Sequence, residues 1–230
     1  MNPPKTLSGP RMMTKSGQAP KQLVILLHGL GADGNDLISL ADDWKDLLPD
    51  AEFISPNAPF PCDMAPFGYQ WFSLQSFAPE SIYKGAIDAA TILNPYIDQE
   101  LLKRNLTDAD LALVGFSQGT MMALHVALRR PQPCAGVLGF SGALTGADVL
   151  KNEIQSKPEI LLFHGDQDMV VPIQAMYMAE KTLKDLNCPV KTNIRQGLGH
   201  GIDAYSIQTG GVFLKNVFDK TNQVKHARPA

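Results

Sequence analysis

A serine hydroxyl attacks a carbonyl carbon only when a base takes its proton and donors receive the charge that forms on the carbonyl oxygen. Gly115-Phe-Ser117-Gln-Gly119 offers such a serine. The pentad is G-x-S-x-G, set directly behind the apolar run Leu111 to Val114 and ahead of a helical pattern. That is the strand–turn–helix setting the motif requires. The turn forces the serine backbone into a strained conformation, and side chains at 115 and 119 would collide with it. The hydroxyl is thereby lifted over the carboxyl edge of a sheet, at a helix N-terminus whose free N–H groups favour negative charge. A glycine-serine turn in an ordinary βα unit reads the same way in isolation, so the rest of the chemistry must come from elsewhere in the chain.

With a nucleophile on such a turn, the order expected is Ser, then Asp or Glu, then His. Of the five histidines, His200 and His226 follow both Ser117 and the acids Asp166 and Asp168. His226 falls in a polar tail that cannot hold it rigidly. His28 and His164 each begin a His-Gly pair at a strand end, where the ring braces a loop. His125 lies within the helix behind the serine. His200, in a glycine-flanked loop before the last helix, is the expected base. For the acid, Asp166 and Asp168 compete at the end of one strand, with Asp148 and Glu153 in poorer positions; Asp166 has the alternative of bracing its turn. Two N–H groups are suited to receive the oxyanion. One is that of Gln118, immediately after the nucleophile, and the other is that of Leu30, in the turn His28-Gly-Leu-Gly31.

The elements that must hold these groups follow from hydropathy. Leu23 to Leu27 is continuously apolar, as in a strand buried on both faces, and Ala51 to Ser55, Ala135 to Phe140 and Glu159 to Phe163 are further strands. Val190 to Ile194 is more polar and fits an edge. Helical spacing joins Leu37, Leu40, Trp44 and Leu47, with Asp33 or Asn35 as cap. It recurs from Glu80 to Asn105, where Pro95 is expected to kink or break the helix, and again through Met176, Ala179, Leu183 and Leu186. Strands alternating with helices predict an α/β fold, with a mostly parallel sheet, helices on both faces and the binding crevice at the carboxyl ends of the strands. A flexible arm with one short edge strand is expected over residues 1–20, a single domain over 21–220 and a frayed polar tail over 221–230. The connection from Pro56 to Pro79, with five prolines and six aromatic residues, is long enough to be functional or to pack as an aromatic cluster.

Composition narrows the class. The 44% hydrophobic and 19% charged fractions are those of a globular protein, and a net charge of -3 gives no broad electrostatic reason to bind nucleic acid or an anionic membrane. Cys62, Cys134 and Cys188 show neither metal-ligand spacing nor a disulfide framework, which points to a reducing compartment. The arm lacks the apolar segment of a secretory signal, and Leu23 to Leu27 is too short to span a bilayer, so a cytoplasmic location without stable membrane insertion is expected. No metal or other cofactor is expected, and the chain is expected to be a monomer or homodimer.

Six segments in order also resemble one family: Leu-Leu-His-Gly-Leu-Gly (26–31), Ser-Pro-Asn-Ala-Pro (55–59), Trp-Phe (71–72), Gly-Phe-Ser-Gln-Gly (115–119), His-Gly-Asp-Gln-Asp (164–168) with Val-Val-Pro (170–172), and Gly-His-Gly-Ile (199–202). The chain is similar in these to the phospholipase/carboxylesterase family of small α/β-hydrolases, which includes acyl-protein thioesterases. The resemblance implies the α/β-hydrolase fold without a large cap domain, and a triad of Ser117, Asp168 and His200. It thereby selects Asp168 over Asp166, and it implies Leu30 and Gln118 N–H groups as the oxyanion hole. It further implies hydrolysis of carboxylic esters, thioesters or lysophospholipids through an acyl-enzyme. Trp71, Phe72, Leu74 and Leu144 are the candidates to contact the acyl chain, with core packing as their alternative role. Many relatives carry Asp after Trp-Phe, where this chain has Ser73. Rival readings are a peptidase or dienelactone hydrolase on the same fold, or a non-catalytic binding protein that keeps it.

Overall fold

Leu23 to Leu27 have no exposed surface, and their side chains alternate between two apolar layers: Leu23, Ile25 and Leu27 in one, Val24 and Leu26 in the other. A strand buried on both faces belongs at the centre of a sheet. In the computed structural model, which describes residues 7–227, it does lie there.

In chain order the chain forms β1 (Arg11–Met12), β2 (Gln22–Leu27), α1 (Gly34–Ile38), α2 (Leu40–Trp44), β3 (Ala51–Ile54), β4 (Phe60–Pro61) and β5 (Tyr69–Gln70). These are followed by α3 (Pro79–Arg104), β6 (Leu111–Phe116), α4 (Gln118–Arg129), β7 (Gly136–Phe140) and α5 (Leu150–Glu153). The series closes with β8 (Glu159–Gly165), α6 (Gln174–Asp185), β9 (Val190–Arg195) and α7 (Ala204–Ala227). The main sheet has the order β1-β3-β2-β6-β7-β8-β9 and is parallel except for β1. Helices α3, α4 and α6 supply one core layer, and α1, α2 and α7 supply the other. This is the α/β-hydrolase architecture. Among the described residues no helix is long and apolar enough to cross a membrane.

Four local expectations differ from the structure. The arm carries its short edge strand, β1 antiparallel to β3, but is packed from Leu7 onward: Leu7 is buried, Ser55 N–H donates to Pro10 O at 3.0 Å and Asn57 N–H donates to Ser8 O at 2.9 Å. Backbone bonds from Ser55 and Asn57, with Leu7 and Met12 packed into the two core layers, fix it. Helix α3 runs unbroken through Pro95, because Ala86, Leu93, Ile97 and Leu101 bury its apolar face on both sides of the proline. The first helical stretch is two short helices meeting at Ser39, with Asp33 capping the first through Asn35 N–H at 2.7 Å. The polar tail is helical to Ala227, while residues 1–6 of the arm and 228–230 of the tail lie outside the described residues.

One ionic cluster ties the edge of the sheet to α3. Arg104, itself buried, donates from Nε to Glu52 at 2.8 Å and from Nη1 to Glu100 at 2.7 Å, and it also bonds Glu52 through Nη2. Both carboxylates are buried. Burial pushes the Glu100 carboxyl up, but hydrogen bonds from Lys103 and Arg104 outweigh it and hold the group below its ordinary value of 4.5. Removing the arginine takes a hydrogen-bonded cation from both buried carboxylates and leaves Glu52 with Arg11 alone, at 3.6 Å, and Glu100 with Lys103 and Arg11. Arg104→Met is therefore expected to destabilise the protein by about 3 kcal/mol, the lower end for a broken buried pair. For a chain of this length that lowers the thermal midpoint by roughly 10 °C. Because the folded carboxyl is depressed, its contribution is present above 4.5 and is lost as the pH falls below that. Thermal melts at neutral and acidic pH should show the gap between variant and parent narrowing on acidification.

Candidate active site

Strand β6 hands over to α4 with one residue between them. That residue is Ser117, at φ 53 and ψ −117, a conformation L-residues rarely adopt. The flanking glycines are required by space. A Cβ at 115 would lie 2.4 Å from Gly119 backbone atoms, and one at 119 would lie 1.8 Å from the Leu27 carbonyl oxygen. The strained turn is held from both sides. Ser117 N–H donates to Phe140 O at 2.9 Å, and Thr120 Oγ1 donates to Gly115 O at 2.7 Å while accepting from Phe140 N–H at 3.0 Å.

Asp168 and His200 sit at the ends of β8 and β9 and meet directly: His200 Nδ1 lies 2.7 Å from Asp168 Oδ2. The other oxygen, Oδ1, accepts from Val170 N–H at 2.9 Å and Val171 N–H at 2.8 Å. Burial pushes the Asp168 carboxyl up, but the bonds from His200, Val171 and Val170 together hold it below its ordinary value. The carboxylate stays ionised and accepts the Nδ1 hydrogen, which is the tautomer a base acting through Nε2 requires. Asp166, the competing acid, instead accepts from Gly197 N–H at 2.7 Å and so pins the start of the His200 loop. Arg195 fastens the other end, donating from Nε to Asp203 at 2.9 Å while its guanidinium covers the Tyr205 ring. The Phe116 ring lies against the imidazole of His200, with centroids 4.8 Å apart.

The other histidines with described side chains have structural partners. His28 accepts from Ala58 N–H at Nε2 and faces Gly29 O at Nδ1, and burial lowers its pKa, so it braces the first turn as a neutral ring. His164 Nε2 lies 2.7 Å from Val171 O and steadies the Asp168 loop. His125 is buried beside Thr145, and desolvation pushes it down to about 4. The side chain of His226 lies outside the described residues.

Gln118 is the first residue of α4, where a helix leaves its N–H groups without intrahelical acceptors. In the turn after β2, Gly31 N–H donates to Tyr69 O and Ala32 N–H to Gly29 O. Among the described residues, no acceptor faces the N–H of Leu30 or of Gln118. Both residues, with Ser117 and His200, line one cavity of about 360 Å³.

The walls of that cavity correct part of the sequence reading. Of the four residues put forward to contact the acyl chain, only Leu74 lines it. Trp71 is wholly buried, with its indole N–H donating to His28 O at 3.0 Å, so its polar edge is satisfied inside the core. Phe72 packs on Gly85 of α3, so closely that a methyl there would lie 2.6 Å from its Cβ. Leu144 packs against the core. The apolar wall is formed instead by Leu74, Ile82, Met121, Val171 and Pro172. Met121 was legible: it falls four residues after Ser117, on the same helix face. Ile82 and Pro172 carried no such signal. Ser73, the departure from the family pattern, faces a neighbouring groove and donates to Asp63, whose carboxyl it helps hold low.

The phospholipase/carboxylesterase family model matches residues 10–218. The chain belongs to the phospholipase/carboxylesterase family. It is accordingly a hydrolase of carboxylic ester or thioester bonds. Esterase YpfH of Escherichia coli is 29% identical over 82% of this chain and 79% of its own length. Acyl-protein thioesterase 1 of Emericella nidulans is 29% identical over 86% of this chain and 91% of its own. The crystal structure of esterase PE8 superposes with a TM-score of 0.88 at 42% identity, covering 92% of this chain and 99% of that one.

Proposed function

We propose that Ser117, Asp168 and His200 are the catalytic triad of this family member and that the Leu30 and Gln118 N–H groups form its oxyanion hole. The observation that carries the reading is the 2.7 Å contact between His200 Nδ1 and Asp168, at a cavity that Ser117 also lines. As Ser117 Oγ attacks the carbonyl, His200 Nε2 takes its proton and Asp168 stabilises the imidazolium. The tetrahedral oxyanion lies against the two N–H groups. His200 then protonates the leaving alcohol or thiol, and the acyl group remains on Ser117. Water enters, loses its proton to His200 and releases the acid.

The substrates we propose are small esters with short or medium acyl chains. A cavity of about 360 Å³ is near the lower end of ligand pockets. For p-nitrophenyl esters from acetate to palmitate, kcat/KM is expected to peak among the short chains. Met121→Trp, which fills the wall beside Ser117, should move the peak towards acetate. A palmitate ester hydrolysed as well as butyrate would refute the short-chain assignment. One observation favours a second reading, deacylation of lipid-modified proteins. At the mouth of the cavity Phe77 and Val170 are 72% and 68% exposed, an apolar path along which a longer chain could continue. Palmitoyl-CoA and a lysophospholipid in the same panel distinguish the two. The free thiols of Cys62, Cys134 and Cys188 support the cytoplasm as the proposed location.

A further inference from the structure

The two proposed oxyanion donors stand on different elements. Leu30 follows β2, and Gln118 opens α4. Their separation must match a single oxygen atom, since such donors act only when preorganised at hydrogen-bonding distance. The segment Tyr69–Phe72 touches both. On the Leu30 side, Gly31 N–H donates to Tyr69 O at 2.8 Å and Tyr69 N–H donates to Ala32 O at 2.8 Å. The Trp71 indole adds its bond to His28 O. On the other side, Trp71 N–H donates to Gln118 Oε1 at 2.9 Å, and Gln118 Nε2 donates to Phe72 O at 2.8 Å. The Gln118 side chain is buried with Trp71 and Phe72.

We infer that the Gln118 carboxamide is a positioning residue that fixes the spacing of the oxyanion hole by clamping α4 to the Tyr69–Phe72 segment, which in turn holds the Leu30 turn. The inference rests on the oxyanion assignment proposed above. Its chemistry is specific. Trp71 N–H can only donate and Phe72 C=O can only accept, so the residue at 118 must accept and donate at once. Methionine matches glutamine in length but cannot donate to Phe72 and accepts only weakly. An ionised glutamate accepts from Trp71 and repels the Phe72 carbonyl, whereas a protonated one restores both bonds.

The test compares wild type, Gln118→Met and Gln118→Glu by kcat and KM on a p-nitrophenyl ester, per active site titrated with a fluorophosphonate, across mildly alkaline to mildly acidic pH. Gln118→Met is expected to lose about 10²-fold in kcat with KM little changed, the scale of a misplaced catalytic geometry. Gln118→Glu is expected to match that loss at alkaline pH and to recover relative to wild type as the pH falls. Counting titrated sites removes losses from misfolding. A Gln118→Glu to wild-type ratio that stays low at every pH, or a Gln118→Met that keeps the wild-type kcat, overturns the clamp, and the glutamate arm decides even where Gln118→Met does not fold. Wild type that fails to react with the fluorophosphonate at Ser117 overturns the triad reading instead, so the two failures are distinct.

Discussion

Ser117→Ala is expected to reduce kcat for ester hydrolysis by about 10⁶-fold, the scale seen when a serine nucleophile is removed from a triad. The loss should not come from unfolding. What holds the turn is backbone and Thr120: the bonds from Ser117 N–H to Phe140 O and from Thr120 Oγ1 to Gly115 O survive the substitution. Alanine inherits the same positive φ that serine occupies, so the strain is common to both proteins. Equal thermal midpoints alongside lost turnover separate a chemical role from a structural one. Near-normal esterase activity in the variant would mean that another group forms the acyl-enzyme.

Asp168→Asn is expected to reduce kcat by about 10⁴-fold at neutral pH while leaving the loop in place. The reason lies in the bonds on the opposite side of the carboxylate. Val170 and Val171 N–H groups both donate to Oδ1, so the asparagine oxygen must take that position. Its NH₂ is then turned towards His200 Nδ1, which lies 2.7 Å from the present Oδ2. A donor facing Nδ1 forces the ring hydrogen onto Nε2, where it blocks proton abstraction from Ser117. Stability should respond to pH as well. The Asp168 carboxyl lies below its ordinary value of 3.8, so its stabilising contribution is present above that value and is lost as the pH falls below it. The thermal midpoints of Asp168→Asn and parent should therefore differ at neutral pH and converge in acid.

The parts of this site that could be read from sequence are those fixed by local chemistry. The elbow follows from two glycines on either side of a serine, and space alone demands both of them. Strand β2 follows from five apolar residues in a row, and the edge position of β9 from its polar ones. What escaped depends on contacts between distant segments. Trp71 reads as a loop aromatic until His28 O, 43 residues earlier, takes its indole hydrogen. The β4–β5 hairpin consists of two-residue strands, too short to show any periodicity. The packed arm is held by backbone bonds from residues 55 and 57, which leave no trace in its side chains. The choice between Asp166 and Asp168 could not be made from the residues, since both follow β8 and both make loop-bracing bonds; only one of them meets His200.

The most direct test of the proposed mechanism is the mass of the fluorophosphonate-treated protein and of its peptides. The predicted result is one phosphonyl group per chain, on the peptide that contains Ser117. Modification at a different residue, or an unmodified protein that still hydrolyses esters, would contradict it.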